Sequence, residues 1–357
     1  MDLTVADVRV KLLSVPFADP PKTGFLALPA IDLVVVEVET RDGVVGTGHL
    51  HPLAGGMRTL ACCIEEMLAP LVIGADASDP PAIWKKMWRA TFTQGRMGVT
   101  VMGMSALDVA LWDALGRARQ TPLWKLWGGE RRAFKTYGSG CYRGLGREGM
   151  IEKAQRFRAR GFEAIKMQVS HLFTPDEDVA NVRAMREALG DDALIMIDVN
   201  QGWDAETAIA TGRRLDDFHP FWLEEPVMAD DLDGYAAVSA GIRTPVVTGE
   251  NHFLAPDLKP FVDRRLVPIL QPDVMRGGYT GLFEIARIAE PAGISIAPHM
   301  FPELMTHLVA ALPNRDWLEW MGWYDHLWVE PIPVEAGTMT PPDRPGHGMD
   351  FLPELFA

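Results

Sequence analysis

ALIMID at 193–198 is the first of five apolar runs that each end in an acidic residue or a histidine. The others are PFWLE at 220–224, PVVTGE at 245–250, VPILQPD at 267–273 and GISIAPH at 293–299, and their last residues stand 26, 26, 23 and 26 positions apart. Short apolar runs separated by helix-sized stretches are typical of parallel strand–helix units. In a (β/α)₈ barrel the strand ends of one rim meet at one pocket. The runs therefore predict a barrel whose pocket gathers their five last side chains: Asp198, Glu224, Glu250, Asp273 and His299.

The composition is that of a soluble globular protein. The 357 residues carry a net charge of −14, which argues against nucleic acid and against an anionic membrane surface as partners. No apolar stretch reads as a membrane span, and MDLTVADVRV lacks the layout of a signal peptide. Three cysteines, two of them adjacent, give no disulfide framework. We therefore expect a cytoplasmic protein.

The rest of the chain divides into two domains and a tail. Residues 3–50 read as a meander of strands, and apolar residues at helical spacing follow from about 57 to 127. The alternation of strands and helices then begins near 133, with FKTYGSG and EAIKMQV as first and second strands and DWLEWM as the eighth. We predict a smaller first domain at 1–127 and a barrel at 128–325. The Pro/Gly-rich tail at 326–357 is expected to return to the first domain or to cap the barrel.

Three carboxylates at successive strand ends suggest a metal site. One aspartate at a strand end is more often a helix N-cap, but Asp198, Glu224 and Glu250 together favour metal binding. Oxygen donors without cysteine or histidine favour Mg²⁺ or Mn²⁺ over zinc. Glu225 points to the other side of its strand, where we expect it to support this site or to form a salt bridge.

The remaining strand ends offer groups for proton transfer and substrate binding. Asp273 behind His299 would fix the tautomer of the imidazole and raise its basicity, as a general base requires. Lys166 could contact a substrate carboxylate or act as a base with a lowered pKa, and its alternative is a charge at the rim. Glu319 could bind substrate oxygen if it is held protonated, and its alternative is a salt bridge to Arg315. Four further residues are predicted to contact substrate: Tyr137, Ser139, Gln168 and Asn200.

The succession of motifs resembles the enolase superfamily and, within it, the mandelate racemase subgroup. The matching segments are LDVALWDALGRARQTPLWKLWGG, DVNQGW, WLEEP, TGEN, QPDVMRGGYTG, PHMFPEL and WLEW, in this order. The resemblance implies an N-terminal α+β capping domain on a (β/α)₇β modified TIM barrel. It also implies Mg²⁺ held by Asp198, Glu224 and Glu250, a His299–Asp273 dyad, and an electrophilic Glu319. Family members are usually homo-oligomers, and capping-domain segments near 16–29 and 48–57 set their specificity. Here these segments contain Phe17, Phe25, Leu26, His49 and His51.

The sequence departs from the racemase pattern on the second strand. That pattern is Lys-x-Lys, with the second lysine as a base facing the histidine, but here Lys166 is followed by Gln168. Glutamine cannot exchange a proton at neutral pH, so one base remains. We therefore predict a sugar-acid dehydratase, since elimination of water needs a base on one side only. Two alternatives stay open: a racemase or epimerase that uses Lys166 as the opposing base, and a binding protein that has lost catalysis.

Overall fold

The N-terminal region is an antiparallel sheet covered by helices. A computed structural model describes residues 1–24, 26–53 and 55–356. The predicted meander consists of β1 (Val5–Pro16), β2 (Ala30–Thr40) and β3 (Val45–Leu50), in the order β1-β2-β3. The helical stretch comprises α1 (Met57–Cys62), a π-helical turn (Cys63–Leu68), α2 (Ala69–Val72), α3 (Pro80–Ala90), α4 (Val99–Ala118) and α5 (Leu123–Leu126).

Helix α4 is the core helix of this region. It packs on β3, where Gly46 and Gly48 lie against the backbone of Ala110 and Ala106. By length and composition alone α4 could cross a membrane, so the expectation that no such stretch exists is wrong. Most of the helix is buried in the protein, as expected for a helix that is apolar on all sides.

The barrel consists of eight parallel strands that alternate with helices. Its strands are β4 (Phe134–Cys141), β5 (Ala164–Gln168), β6 (Leu194–Asp198), β7 (Trp222–Glu224), β8 (Val246–Val247), β9 (Ile269–Leu270), β10 (Ser295–Ile296) and β11 (Leu318–Trp320). The helices between them are α6 (Gly146–Ala159), α7 (Pro175–Leu189), α8 (Ala205–Leu215), α9 (Leu232–Gly241), α10 (Ala255–Asp263), α11 (Gly278–Ala289) and α12 (Pro302–Ala311). Strand β11 pairs with β4, where Leu318 lies opposite Thr136, and this pairing closes the barrel. The predicted (β/α)₇β architecture is confirmed.

Strands β8 to β10 are shorter than the apolar runs that predicted them. Pro268, Pro272 and Pro298 lie in or beside these runs, and proline cannot donate the hydrogen bond that a ladder requires. The ladder continues as single bridges, one of which pairs Asp273 with His299. The prolines therefore shorten the strands without changing the direction of the chain.

The tail contacts both the barrel and the N-terminal region. A hairpin of β12 (Val334–Glu335) and β13 (Thr338–Met339) pairs with β4. Further along, the amide of His347 donates to Asp113 Oδ1 at 2.9 Å, and Arg117 lies 2.8 Å from Asp350. The hairpin thus contacts the barrel and the later part of the tail contacts the N-terminal region, so each of the two expectations holds for one part of the tail. The division at 127/128 stays a prediction.

Candidate active site

Two layers of side chains fill the barrel and define the site. The lower layer is an apolar cluster with one residue from each strand: Tyr137, Ala164, Met196, Trp222, Val247, Ile269, Ala297 and Trp317. Side chains two positions apart in a strand point to the same face. The residues two positions further on form the upper layer: Ser139, Lys166, Asp198, Glu224, Gly249, Gln271, His299 and Glu319. The apolar layer is therefore the floor of a polar pocket.

Asp198 and Glu224 lie side by side on β6 and β7. They are register partners in the parallel ladder, and both are buried. Glu224 accepts hydrogen bonds from Lys166 at 2.7 Å and Gln271 at 2.8 Å, and also from Trp222 at 3.1 Å. The floor and the neighbouring strands thus fix the position of its carboxylate.

Glu250 lies next to the upper layer, although the strand alternation assigns the preceding residue, Gly249, to that layer. Gly249 has φ 149°, a value that favours glycine, and an added Cβ would lie 2.6 Å from the backbone nitrogen of Gln271. Glu250 follows directly, and its Oε2 lies 3.5 Å from His299 Nε2. The glycine therefore allows the change of direction that brings Glu250 to the histidine.

The electrostatics of the three carboxylates favour a cation. Burial raises the pKa of Asp198 to about 6, with a further increase from Glu250 and an opposing effect of Lys166. Burial also raises the pKa of Glu224 well above its usual value, and Asp198 and Glu250 add to this effect against Lys166. Buried carboxylates that repel one another and offer only oxygen donors match the preference of Mg²⁺.

The side chains nevertheless face protein donors in this structure. Asn200 donates to both oxygens of Asp198, at 2.9 Å from its backbone and 2.8 Å from its side chain. Across residues 1–24, 26–53 and 55–356, no three His, Cys, Asp or Glu side chains are grouped as a metal would require. The oxygen-donor chemistry and the strand positions of the three carboxylates fit Mg²⁺.

His299 and Asp273 form a hydrogen-bonded pair. Their bridge in the ladder places them side by side, and Nδ1 of His299 lies 2.7 Å from Asp273 Oδ2. The other aspartate oxygen accepts from the amide of Met275 at 2.7 Å, which holds the carboxylate in place. Burial alone would lower the pKa of His299, but Glu250, Asp273 and Glu319 raise it to about 10. These three carboxylates therefore favour the protonated imidazole.

Lys166 and Glu319 form a second charged pair, and the direction of each pKa shift is opposite to the one expected. Lys166 lies 2.7 Å from Glu224 and 2.9 Å from Glu319, and although burial opposes it, these carboxylates raise the lysine pKa instead of lowering it. Burial would raise the pKa of Glu319, but Lys166 and His299 lower it to about 2, which favours the ionised carboxylate over the protonated one that was expected. The alternative partner Arg315 donates instead to the carbonyl of Leu312.

The other predicted substrate contacts occupy different levels. Ser139 belongs to the upper layer and is buried, whereas Tyr137 lies in the floor, edge-on to Trp222 with ring centroids 5.3 Å apart. Gln168 is half-buried at the end of β5, in register with Asp198. Asn200 is bound to Asp198. Ser139 and Gln168 are thus at the level of the pocket, and Tyr137 lies below it.

Residues of the N-terminal region pack over the barrel mouth. Phe17 lies edge-on to Trp323, with ring centroids 5.4 Å apart, and His51 Nδ1 lies 2.9 Å from the hydroxyl of Tyr324. His49 and His51 are both buried, and burial lowers the pKa of His51 to about 4. These two histidines are therefore enclosed among aromatic rings and are not exposed loop residues. Leu26 is half-buried, and Phe25 lies outside the described residues.

Buried polar side chains support the site carboxylates, and only Glu225 among them was predicted. Glu225 is buried and accepts from Gln201 at 3.0 Å and from Asn251 at 2.9 Å, which agrees with its expected supporting role. Gln271 holds Glu224, as described above. A signal for Gln271 was present, because it lies two positions before Asp273 on the same run. Gln201 and Asn251 lie in the matching segments DVNQGW and TGEN, but strand periodicity does not distinguish them from their neighbours.

Family models match most of the chain. Residues 6–128 match the mandelate racemase / muconate lactonizing enzyme N-terminal domain, and residues 149–355 match the enolase C-terminal domain-like family. A 3,6-anhydro-alpha-L-galactonate cycloisomerase of Streptomyces coelicolor is 36% identical over 331 residues, which cover 91% of each chain. The L-talarate/galactarate dehydratase of Salmonella typhimurium is 32% identical over 352 residues, with 96% of this chain and 87% of the relative covered.

Solved structures resemble the chain over nearly its full length. A racemase from Streptomyces coelicolor with bound magnesium has a TM-score of 0.94 at 33% identity, with 99% of this chain and 98% of that chain covered. The L-talarate dehydratase from Polaromonas sp. JS666, complexed with Mg and L-glucarate, has a TM-score of 0.90 at 32% identity, with 98% and 96% covered. At these identities the similarity extends beyond the fold to the family.

Proposed function

Because the chain belongs to the mandelate racemase/muconate lactonizing enzyme family of the enolase superfamily, we propose that it is a Mg²⁺-dependent sugar-acid dehydratase. The substrate class is a 2-hydroxy carboxylic acid with a hydroxyl at its β-carbon. The observation that carries the proposal is the unequal supply of bases. His299 is oriented by Asp273 at 2.7 Å, whereas Lys166 is tied to two carboxylates and Gln168 cannot exchange a proton.

The carboxylates at the level of the upper layer would bind the metal, and the metal and Lys166 would bind the acid group of the substrate. Asp198, Glu224 and Glu250 would hold Mg²⁺, which stabilises the negative charge that develops on the substrate carboxylate. Lys166 adds a fixed positive charge at the same level of the barrel. Burial of Asp198, Glu224 and Lys166 excludes water and strengthens their electrostatic effect on the reacting acid.

His299 would carry the proton. Asp273 fixes the Nδ1–H tautomer, so that neutral Nε2 accepts the α-proton of the substrate. The pKa of about 10 reflects above all the charge of Glu250, and compensation of that charge lowers the pKa toward the range of a useful base. The imidazolium then donates its proton to the leaving β-hydroxyl, water departs, and the resulting enol tautomerises to a 2-keto-3-deoxy acid.

An isomerase is the second candidate, favoured by the cycloisomerase that is 36% identical to the chain. One base is sufficient here too. If the β-oxygen belongs to an internal ether, its departure opens a ring and leaves the mass unchanged. A racemase or epimerase would need Lys166 as an opposing base, and the ion pairs of Lys166 with Glu224 and Glu319 oppose its deprotonation.

Incubation of the purified protein and Mg²⁺ with a panel of sugar acids and anhydro-sugar acids tests the proposal. A dehydratase yields a 2-keto acid that is lighter by one water, a cycloisomerase yields one of unchanged mass, and a racemase incorporates deuterium from D₂O without loss of water. Chelation should abolish the reaction, and added Mg²⁺ should restore it. If His299→Asn binds the acids as the wild type does and neither protein converts any of them, the proposal fails.

Three further expectations stay predictions. They are a cytoplasmic location, a homo-oligomeric state, and the absence of nucleic-acid and membrane partners. Gel filtration with light scattering would determine the oligomeric state.

A further inference from the structure

Arg143 connects the N-terminal region to the metal-binding side of the barrel. It follows β4, and its side chain is 99% buried, with 1% exposed. One terminal nitrogen donates to the carbonyl of Thr23 at 3.2 Å, and the other donates to Asn200 Oδ1 at 2.6 Å. The planar fork of an arginine can bind two such acceptors in one fixed geometry.

At the barrel end of this connection, Arg143 fixes the orientation of an amide. Asn200 has φ 48°, and its side-chain nitrogen donates to Asp198 Oδ2 at 2.8 Å. An amide presents one acceptor and one donor group, so occupation of Oδ1 by Arg143 directs Nδ2 to the aspartate. Arg143 therefore determines, through Asn200, which way the Asp198 carboxylate is held.

At the other end, segment 20–24 is docked on the barrel. The amide of Gly144 donates to the carbonyl of Lys22 at 2.8 Å. Gly24 has φ 87°, a backbone conformation that favours glycine, and an added Cβ would lie 2.5 Å from Leu172 Cδ1, so the segment passes close to the loop that contains Leu172. The Arg143–Thr23 bond lies between these contacts. If the segment left the barrel, Arg143 would lose its bond to Thr23.

We propose that Arg143 is a positioning residue that couples docking of segment 20–24 to Mg²⁺ binding by Asp198. The inference rests on the proposed function, because it takes Asp198 as a metal ligand. Coupling between two sites is reciprocal, so Mg²⁺ should hold the segment on the barrel as much as the docked segment favours Mg²⁺. Changes in residues that orient a metal ligand lower metal affinity about 10–100-fold.

Mg²⁺ titration calorimetry and limited proteolysis test the coupling. A lysine-specific protease cuts after Lys22, and the fragment that begins at Thr23 is followed by mass. In the wild type Mg²⁺ should slow this cut severalfold. In Arg143→Met and Arg143→Lys, which both lose the fork, Mg²⁺ affinity should fall about tenfold and the slowing should disappear. If the methionine variant does not fold, the lysine variant carries the test.

Arg147→Met is the control, because Arg147 hydrogen-bonds Asn181 on the neighbouring helix α7 at 2.7 Å. This variant should bind Mg²⁺ and resist the protease as the wild type does. Wild-type Mg²⁺ affinity or wild-type protection in the folded Arg143 variants overturns the coupling. Asp198→Asn separates the two hypotheses. If it binds Mg²⁺ as the wild type does, the proposed metal site fails. If it loses Mg²⁺ while the Arg143 variants keep it, only the coupling fails.

Discussion

The two sides of the pocket are built from equivalent strand ends but differ in their capacity to move a proton. On the side of β10, His299 has one nitrogen bound to Asp273, and the other lies 3.5 Å from Glu250. On the side of β5, both partners of Lys166 are carboxylates within 3 Å, and Gln168 has no titratable group. The barrel therefore positions residues on both sides, and their neighbours determine which of them can exchange protons.

Loss of the imidazole should have the largest effect. In His299→Asn the amide can still bind Asp273, but no base remains, so turnover should fall about 10⁴-fold, the upper range for general acid–base catalysis. The rate of 2-keto acid formation measures this loss. Mg²⁺ affinity serves as the control and should change little, since His299 is not among the proposed ligands. Turnover within tenfold of the wild type would show that the proton leaves by another route.

Loss of the Lys166 charge should have the second largest effect. Lys166→Met leaves Glu224 and Glu319 without their partner, so kcat should fall about 10²–10³-fold. The unpaired buried carboxylates should also lower the free energy of unfolding by about 3–5 kcal/mol. Steady-state kinetics and urea unfolding measure the two effects.

Lys135→Met provides the matched control for that variant. Lys135 lies 2.7 Å from Glu163, but both side chains are about 60% exposed. Its loss should change the free energy of unfolding by less than about 1 kcal/mol. Equal losses of unfolding free energy in the two variants would mean that burial of the Lys166 ion pairs contributes nothing to stability.

The barrel and the level of the pocket could be predicted from the sequence because both depend on local repeats. Apolar runs that end in Asp198, Glu224 and His299 follow from strand periodicity, and the parallel ladder brings their ends together. The same alternation places Gln271 at the level of the pocket, two positions before Asp273. Tyr137 lies two positions before Ser139 on β4 and therefore belongs to the apolar floor below the pocket.

The ionisation states and the connections between loops could not be predicted in the same way. The pKa values of Lys166 and Glu319 depend on which carboxylates lie within 3 Å, and a sequence gives no such distances. Arg143 binds Thr23 and Asn200, which are 120 and 57 positions away in the chain. Neither partner belongs to a periodic element, so no repeat reveals the contact.

Asp273→Asn should weaken the histidine side without removing its base. Loss of the carboxylate removes the charge that fixes the tautomer, so kcat/KM should fall about 10²-fold, the lower range for general base catalysis. Asp273 raises the pKa of His299, so its neutralisation lowers that pKa. The rising limb of the pH profile of kcat/KM, which reports deprotonation of His299, should therefore move to lower pH. An unchanged limb would assign the titration to another group.

The smallest effect is expected on the opposite side, at Gln168. Since glutamine exchanges no proton, Gln168→Ala should change the dehydration rate by less than about fivefold, or about 1 kcal/mol of barrier. Gln168→Lys is the sharper test, because it places an amine at the end of β5 in register with Asp198. At saturating Mg²⁺ this variant should incorporate deuterium from D₂O into a substrate epimer that the wild type leaves unlabelled. If the wild type already labels both epimers, a second base is present and the two sides of the pocket do not differ as proposed.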